Sequence, residues 1–246
     1  MRFLVLSDLH SNLEALQAVL AAARPLGFER VLVLGDVVGY GADPNDVIEI
    51  LRNLPGVLAI RGNHDRVAAS FSDAEGFNEA ARLAALWTRR TLAPASVEFL
   101  AALPKGPVEF ASGKFLCHGT PLDEDRYLLE EGEARRCFDG MPFDLCFFGH
   151  THFPGAFILE GDRISRRPAL GDELVIECQR GRRYLINPGS VGQPRDRNPR
   201  CGFALFDDAS DVVSIHRVPY PAAEAREKIL RAGLPRWLGD RLILGV

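Results

Sequence analysis

The chain reads as an α/β protein of four layers, an α-β-β-α sandwich of two packed mixed β-sheets flanked by helices, and three observations carry that expectation. Short apolar runs alternate with amphipathic helical patterns at the start of the chain. Strand-like runs dominate from Val108 onward. Short polar clusters follow the apolar runs at their carboxyl ends. Alternating β and α segments build a parallel sheet, and a later series of strands implies a second sheet packed on the first. Layers of this kind commonly form one unit at a length of 246 residues. No repeat, low-complexity tract or Pro/Gly linker divides the sequence, so residues 1–246 are expected to form a single domain.

Residues 2–7 (RFLVLS) are the first apolar run. Ser11 and Glu14 have the S-x-x-E spacing of a capping box, and Leu13, Leu16, Leu20 and Ala23 then fall on one helical stripe. Arg24, Pro25 and Gly27 stop that helix. Residues 31–34 are a second continuous apolar run, as expected of a parallel strand covered on both faces. Asp43 and Pro44 make an N-cap and N1 pair, with Val47, Ile48, Leu51 and Leu54 as the apolar face of the helix they open. Residues 57–60 are the third strand, and a longer helical pattern runs over 77–92. Beyond it, strands are expected at 108–110, 114–117 after a Ser112-Gly113 turn, 145–148, 156–159, 184–186, 203–206 and 212–218. Little helical pattern lies between them, and 196–200 reads as an exposed loop.

Composition narrows the function classes. The formal charge of −4 argues against a surface built to neutralise a long nucleic acid. The apolar stretch before Asp8 is too brief for a signal peptide or a membrane span, so a cytoplasmic protein with no membrane partner is expected. The five cysteines contain no C-x-x-C pair and are odd in number, so neither a zinc ribbon nor a disulfide framework is indicated. They are expected to be buried packing residues.

The chemistry resides in the polar clusters. Asp8 and His10 follow the first strand, Gly35-Asp36 the second, and Gly62-Asn63-His64-Asp65 the third. Cys117-His118-Gly119 and Gly149-His150-Thr151-His152 follow two later strands. Carboxyl ends of parallel strands share one edge, where ligands bind, so these clusters should converge. Five of the six histidines fall in them, and only His216 lies in ordinary strand sequence. Taken singly, Asp8 could cap a turn and Asn63 could supply a left-handed turn after Gly62. Together, imidazole and carboxylate suit manganese, iron, zinc or nickel, and a carboxylate can bridge two such ions. Gly35, Gly62, Gly119 and Gly149 are expected to let the backbone turn sharply beside the ligands.

The ordered motifs D-x-H, G-D, G-N-H-D, H-G and G-H-T-H over residues 8–152 resemble the calcineurin-like metallophosphoesterase superfamily. The segments 7–12 (SDLHSN), 34–41 (LGDVVGYG) and 187–195 (NPGSVGQPR) resemble its small bacterial and archaeal phosphodiesterase branch. The resemblance implies that Asp8, His10 and His152 hold one divalent ion, that Asn63, His118 and His150 hold a second, and that Asp36 bridges them. Manganese is the first choice of metal. It further implies attack by a hydroxide bridging the two ions, with His64 as the general acid. The G-D-x-V-D-R-G segment of protein phosphatases is replaced by Gly35-Asp36-Val37-Val38-Gly39-Tyr40-Gly41, which argues against a protein phosphatase and leaves Asp65 or Asp43 as the candidate partner of His64.

Asp65 is accordingly kept as a catalytic candidate, and Asn12 and Arg195 as substrate-binding ones, because guanidinium suits phosphate oxygens. The expected function is hydrolysis of a small phosphomonoester or phosphodiester, a nucleotide among the candidates. A nuclease or cyclic-nucleotide phosphodiesterase is the alternative, and a non-enzymatic interaction scaffold, as in some relatives that have lost ligands, comes third.

Overall fold

The computed structural model describes residues 1–246. It opens with the expected alternation of β1 (Arg2–Leu6), α1 (Leu13–Ala23), β2 (Arg30–Val33), α2 (Pro44–Asn53) and β3 (Val57–Ala59). Three helices follow, α3 (Asn63–Ala68), α4 (Glu79–Thr91) and α5 (Pro94–Ala101). The second half contains β4 (Val108–Ala111), β5 (Lys114–Leu116), α6 (Glu131–Gly140), β6 (Leu145–Phe147), β7 (Gly155–Glu160) and β8 (Arg163–Pro168). It continues through β9 (Glu173–Glu177), β10 (Arg182–Asn187), β11 (Cys201–Asp207), β12 (Val212–Val218), α7 (Ala222–Arg231) and α8 (Arg236–Leu244).

The strands form two six-stranded sheets of order β3-β2-β1-β11-β12-β9 and β4-β5-β6-β10-β7-β8. Both are mixed. β1, β2 and β3 run parallel, as do β5, β6 and β10, whereas β11 joins β1 antiparallel. The two-residue period of a strand distributes the side chains of β1 between two cores. Phe3 and Val5 meet Leu116, Phe147 and Ile186 of the second sheet, and Leu4 and Leu6 meet Leu16 and Val19 of α1 and Ile48 and Leu51 of α2. On the far side, Cys146, Phe157 and Leu185 pack on Ala134, Cys137 and Phe138 of α6. The four-layer sandwich is therefore realised. All five cysteines are free, and every one but Cys178 is buried. No helix is long and apolar enough to cross a membrane.

Several local readings change. The cap of α1 is Asn12, whose side-chain oxygen accepts from the Ala15 N–H at 3.1 Å, so Ser11 with Glu14 is not the capping pair. Ser11 instead has φ of 53°, which carries the chain past the site before the helix starts. The helices α3, α5, α6, α7 and α8 and the strands β8 and β9 were not expected. α6 contains two glycines and few apolar residues, with a Glu130/Glu133 capping box to start it. β8 is an edge strand with almost every side chain exposed, so it shows no two-residue alternation, whereas the apolar face of α6 is confined to Ala134, Cys137 and Phe138.

Candidate active site

The turns that follow β1, β2, β3, β5 and β6 meet at one end of the sandwich, on the seam between the two sheets. Donor atoms of Asp8, His10 and His152 lie within 4.8 Å of one another, and so do those of Asp36, His118 and His150. His10, Asp36 and His64 form a third such group. His10 Nε2 is 3.2 Å from His152 Nε2, His152 Nε2 is 3.3 Å from Asp8 Oδ1, and His118 Nε2 is 3.0 Å from Asn63 Oδ1 and 3.4 Å from Asp36 Oδ2. All seven candidate ligands are thus brought together. His216 lies apart on β12, stacked on Phe203 with ring centroids 5.1 Å apart.

Outer hydrogen bonds decide which ring nitrogen faces inward. His10 Nδ1 donates to the Val38 carbonyl (3.3 Å), His118 Nδ1 to that of Leu34 (2.8 Å) and His152 Nδ1 to that of Gln193 (2.6 Å). A carbonyl can only accept, so in each ring Nε2 is the nitrogen left to face the cluster. His150 is turned round: its Nε2 donates to the Asp125 carbonyl at 3.2 Å, leaving Nδ1 free. Asp8 accepts from the Ser7 hydroxyl at 2.6 Å and from the His150 N–H at 3.1 Å, and Asp36 accepts from the His64 N–H at 2.9 Å. Imidazoles aimed by outer bonds and ionised carboxylates fit a divalent cation.

Asp8, His10, Asp36, His150 and His152 all have φ between 49° and 63°, a region costly for residues with a side chain. The neighbouring glycines have a different duty from the expected one. Only Gly35 among the four has positive φ. A Cβ at Gly62 would stand 2.2 Å from Asp36 Oδ1, and one at Gly149 would stand 2.1 Å from Ser7 Oγ. The ligands therefore make the turns, and these glycines allow close approach.

Burial alone would raise the carboxyls of Asp8 and Asp36, yet His152 beside Asp8 and His118 beside Asp36 hold both well below the usual range. Burial lowers His10 and His152, and burial together with His118 takes His150 down to about 3. His118 moves the other way. Against its burial, Asp36 raises it to about 10. The proton held there must leave for Nε2 to bind a metal ion.

The family model described as the calcineurin-like phosphoesterase superfamily domain matches residues 1–211. The chain belongs to that superfamily. This phosphoesterase is accordingly a metal-dependent phosphoric ester hydrolase. Its relatives include an uncharacterised protein of Methanocaldococcus jannaschii, 38% identical over 245 residues, which are 98% of this chain and 97% of the relative. Phosphodiesterase YfcE of Escherichia coli K12 is 24% identical over 226 residues, 88% of this chain and 93% of the relative. The crystal structure of a metallophosphoesterase from Sphaerobacter thermophilus is 35% identical and superposes with a TM-score of 0.86, covering 100% and 99% of the two chains.

The phosphoesterase cleft has a volume of about 300 Å³ and includes Asp36, Asn63, His64, His150, His152 and Arg195 in its lining. Tyr40, which lies in the 34–41 motif without a role given to it, also lines it, as do Arg66, Glu75, Phe77 and Tyr127, which no sequence motif singled out. The remaining candidates differ in placement. Asn12 spends its amide on the α1 cap and on the Gly192 carbonyl at 2.8 Å, so it is committed to structure rather than to the cleft. Asp65 accepts from the N–H groups of Val38 (3.1 Å) and Gly62 (2.9 Å), and burial followed by Asp36 raises it to about 7. It ties two site loops together and makes no bond to His64. Asp43 pairs with Lys228 at 3.0 Å, so neither candidate partner orients that ring.

Proposed function

We propose that this phosphoesterase, acting as one unit over residues 1–246, uses two divalent ions to hydrolyse a small phosphomonoester or phosphodiester, a nucleotide among the candidates. The observation that carries this reading is the set of imidazole lone pairs and carboxylates converging from both sheets, each ring fixed by a backbone carbonyl on its outer side. Asp8, His10 and His152 would hold one ion, Asn63, His118 and His150 the other, and Asp36 both. Manganese comes before iron, zinc or nickel because the donor set mixes carboxylate and amide oxygen with imidazole. When bound, the ions supply Lewis acidity toward the phosphoryl oxygens and an activated water.

The protein's own groups do the rest. Arg195 takes a phosphoryl oxygen through its guanidinium. His64 gives its proton to the leaving oxygen. Burial, the largest cause, brings His64 down to about 4, and a bound anionic ester would raise it toward the working range. The name of phosphodiesterase YfcE supports the diester arm. The formal net charge of −4 disfavours a long polyanion, so a nuclease comes second.

Chelated protein is expected to regain turnover of bis(p-nitrophenyl) phosphate or p-nitrophenyl phosphate on addition of Mn²⁺. Asp36→Ala is expected to abolish it while circular dichroism stays that of the native fold. Undiminished turnover by that variant rejects the reading.

A further inference from the structure

Of the side chains of residues 187–195 only that of Arg195 has a role above, yet most of the segment is buried against the centre. Gln193 is 1% exposed. Its backbone carbonyl accepts from His152 Nδ1, and its side-chain Oε1 accepts from Arg195 Nη2 at 3.0 Å and Nε at 3.3 Å. Arg195 has no carboxylate partner, in contrast to Arg66, which pairs with Glu124 and Asp125. Its guanidinium lies 5.8 Å from the Tyr40 ring centroid and lines the cleft.

A carboxamide that accepts at one end has its donor end fixed. Gln193 Nε2, Ser11 Oγ and Glu14 Oε2 are buried without a partner, and all three residues line one cavity of about 10 Å³. That is space for one water, which needs two to four polar partners. Gln193 Nε2 donates, Glu14 Oε2 accepts, and the Ser11 hydroxyl can do either. Glu14 is held in turn by Lys228, 2.5 Å from its other oxygen.

We propose that Gln193 is a positioning residue that holds Arg195 toward the cleft, its amide secured from behind by one buried water shared with Ser11 and Glu14. The inference rests on the substrate-binding role given to Arg195. An arginine already held in its binding rotamer loses less freedom when the anion arrives, so the effect falls on substrate binding.

The test is steady-state kinetics of the metal-loaded protein on bis(p-nitrophenyl) phosphate for Gln193→Met, Arg195→Ala and the double variant, with bound metal measured in each. Gln193→Met is expected to raise KM about 3- to 10-fold, the size of one lost hydrogen bond, with kcat and metal content kept. In the Arg195→Ala background it should add nothing. A full extra loss in the double variant, loss of metal, or an unchanged KM for Gln193→Met while Arg195→Ala is impaired overturns the proposal. If Arg195→Ala alone leaves KM unchanged, the substrate-binding role of Arg195 has failed, and the positioning role falls with it. Independently of any variant, a high-resolution crystal structure of the unaltered protein is expected to contain one ordered water bonded to the three atoms. A dry cavity or a reversed amide overturns the proposal.

Discussion

His64 is held by rings rather than by an acid. Its ring centroid is 4.4 Å from that of Tyr40, 4.6 Å from Phe77 and 5.1 Å from His10. Its Nδ1 has no partner, and a Cβ at Gly39 would stand 2.4 Å from that atom, so the Gly39-Tyr40 pair makes room for the imidazole. His64→Asn is expected to lower kcat by about 10²- to 10⁴-fold with metal content kept, and to do so less on esters whose alcohol leaves without a proton. A leaving-group series reads this directly, and equal losses across the series would discard the general-acid role. The candidate ligands were legible because each follows an apolar run and the strand ends had to converge. The surroundings of His64 were not. Tyr40 and Phe77 come from separate loops, and nothing in an aromatic residue's sequence context says which ring it will pack on.

Between elements, the segment joining β5 to α6 is fastened across the seam by two acidic residues, Glu124 and Asp125, which share Arg66. Glu124 accepts from Arg61 Nη2 at 3.2 Å and from Arg66 Nη1 at 2.5 Å, and the Asp125 carbonyl beside it receives His150 Nε2. Burial would raise Glu124, but Arg61 and then Arg66 outweigh it and leave the carboxyl below its ordinary value near 4.5. A depressed folded value means that the contribution to stability is present above that pH and is lost as pH falls through the folded value. Glu124→Gln is expected to cost about 1–3 kcal/mol at neutral pH. Urea melts of the two proteins should draw together below pH 4.5, and a gap that persists there would contradict the ion-pair account. α6 is anchored by Ala134, Cys137 and Phe138, which have the i, i+3, i+4 spacing of a helix but form a stripe only about one turn long and include a small residue and a cysteine.

For the molecule as a whole, the site is a place where backbone strain is concentrated. Five candidate ligands in the left-handed region cost about 1–3 kcal/mol each, comparable together with the net stability of an ordinary fold. An ion that binds only the folded chain offsets part of this. At a hundredfold excess over Kd it contributes about 2.7 kcal/mol, which corresponds to roughly 5–10 °C in Tm for a chain of this size. Thermal melts in EDTA and after addition of Mn²⁺ measure the difference, and coincident curves would mean that the folded chain gains nothing from the cation. The two-sheet plan was legible from the order of runs, but the strand order was not, since β9 and β8 sit beside partners distant or exposed enough to leave no mark in their own residues.

The pairing of β1 with β11, Phe3 opposite Phe206 and Val5 opposite Ala204, bears on how the protein is made. A ribosome releases the first β-α-β unit long before residues 201–207 exist, so one flank of the earliest strand waits bare through most of translation. An unpaired, apolar strand edge invites wrong partners, and chaperone demand during synthesis should exceed what the finished protein's stability alone would suggest.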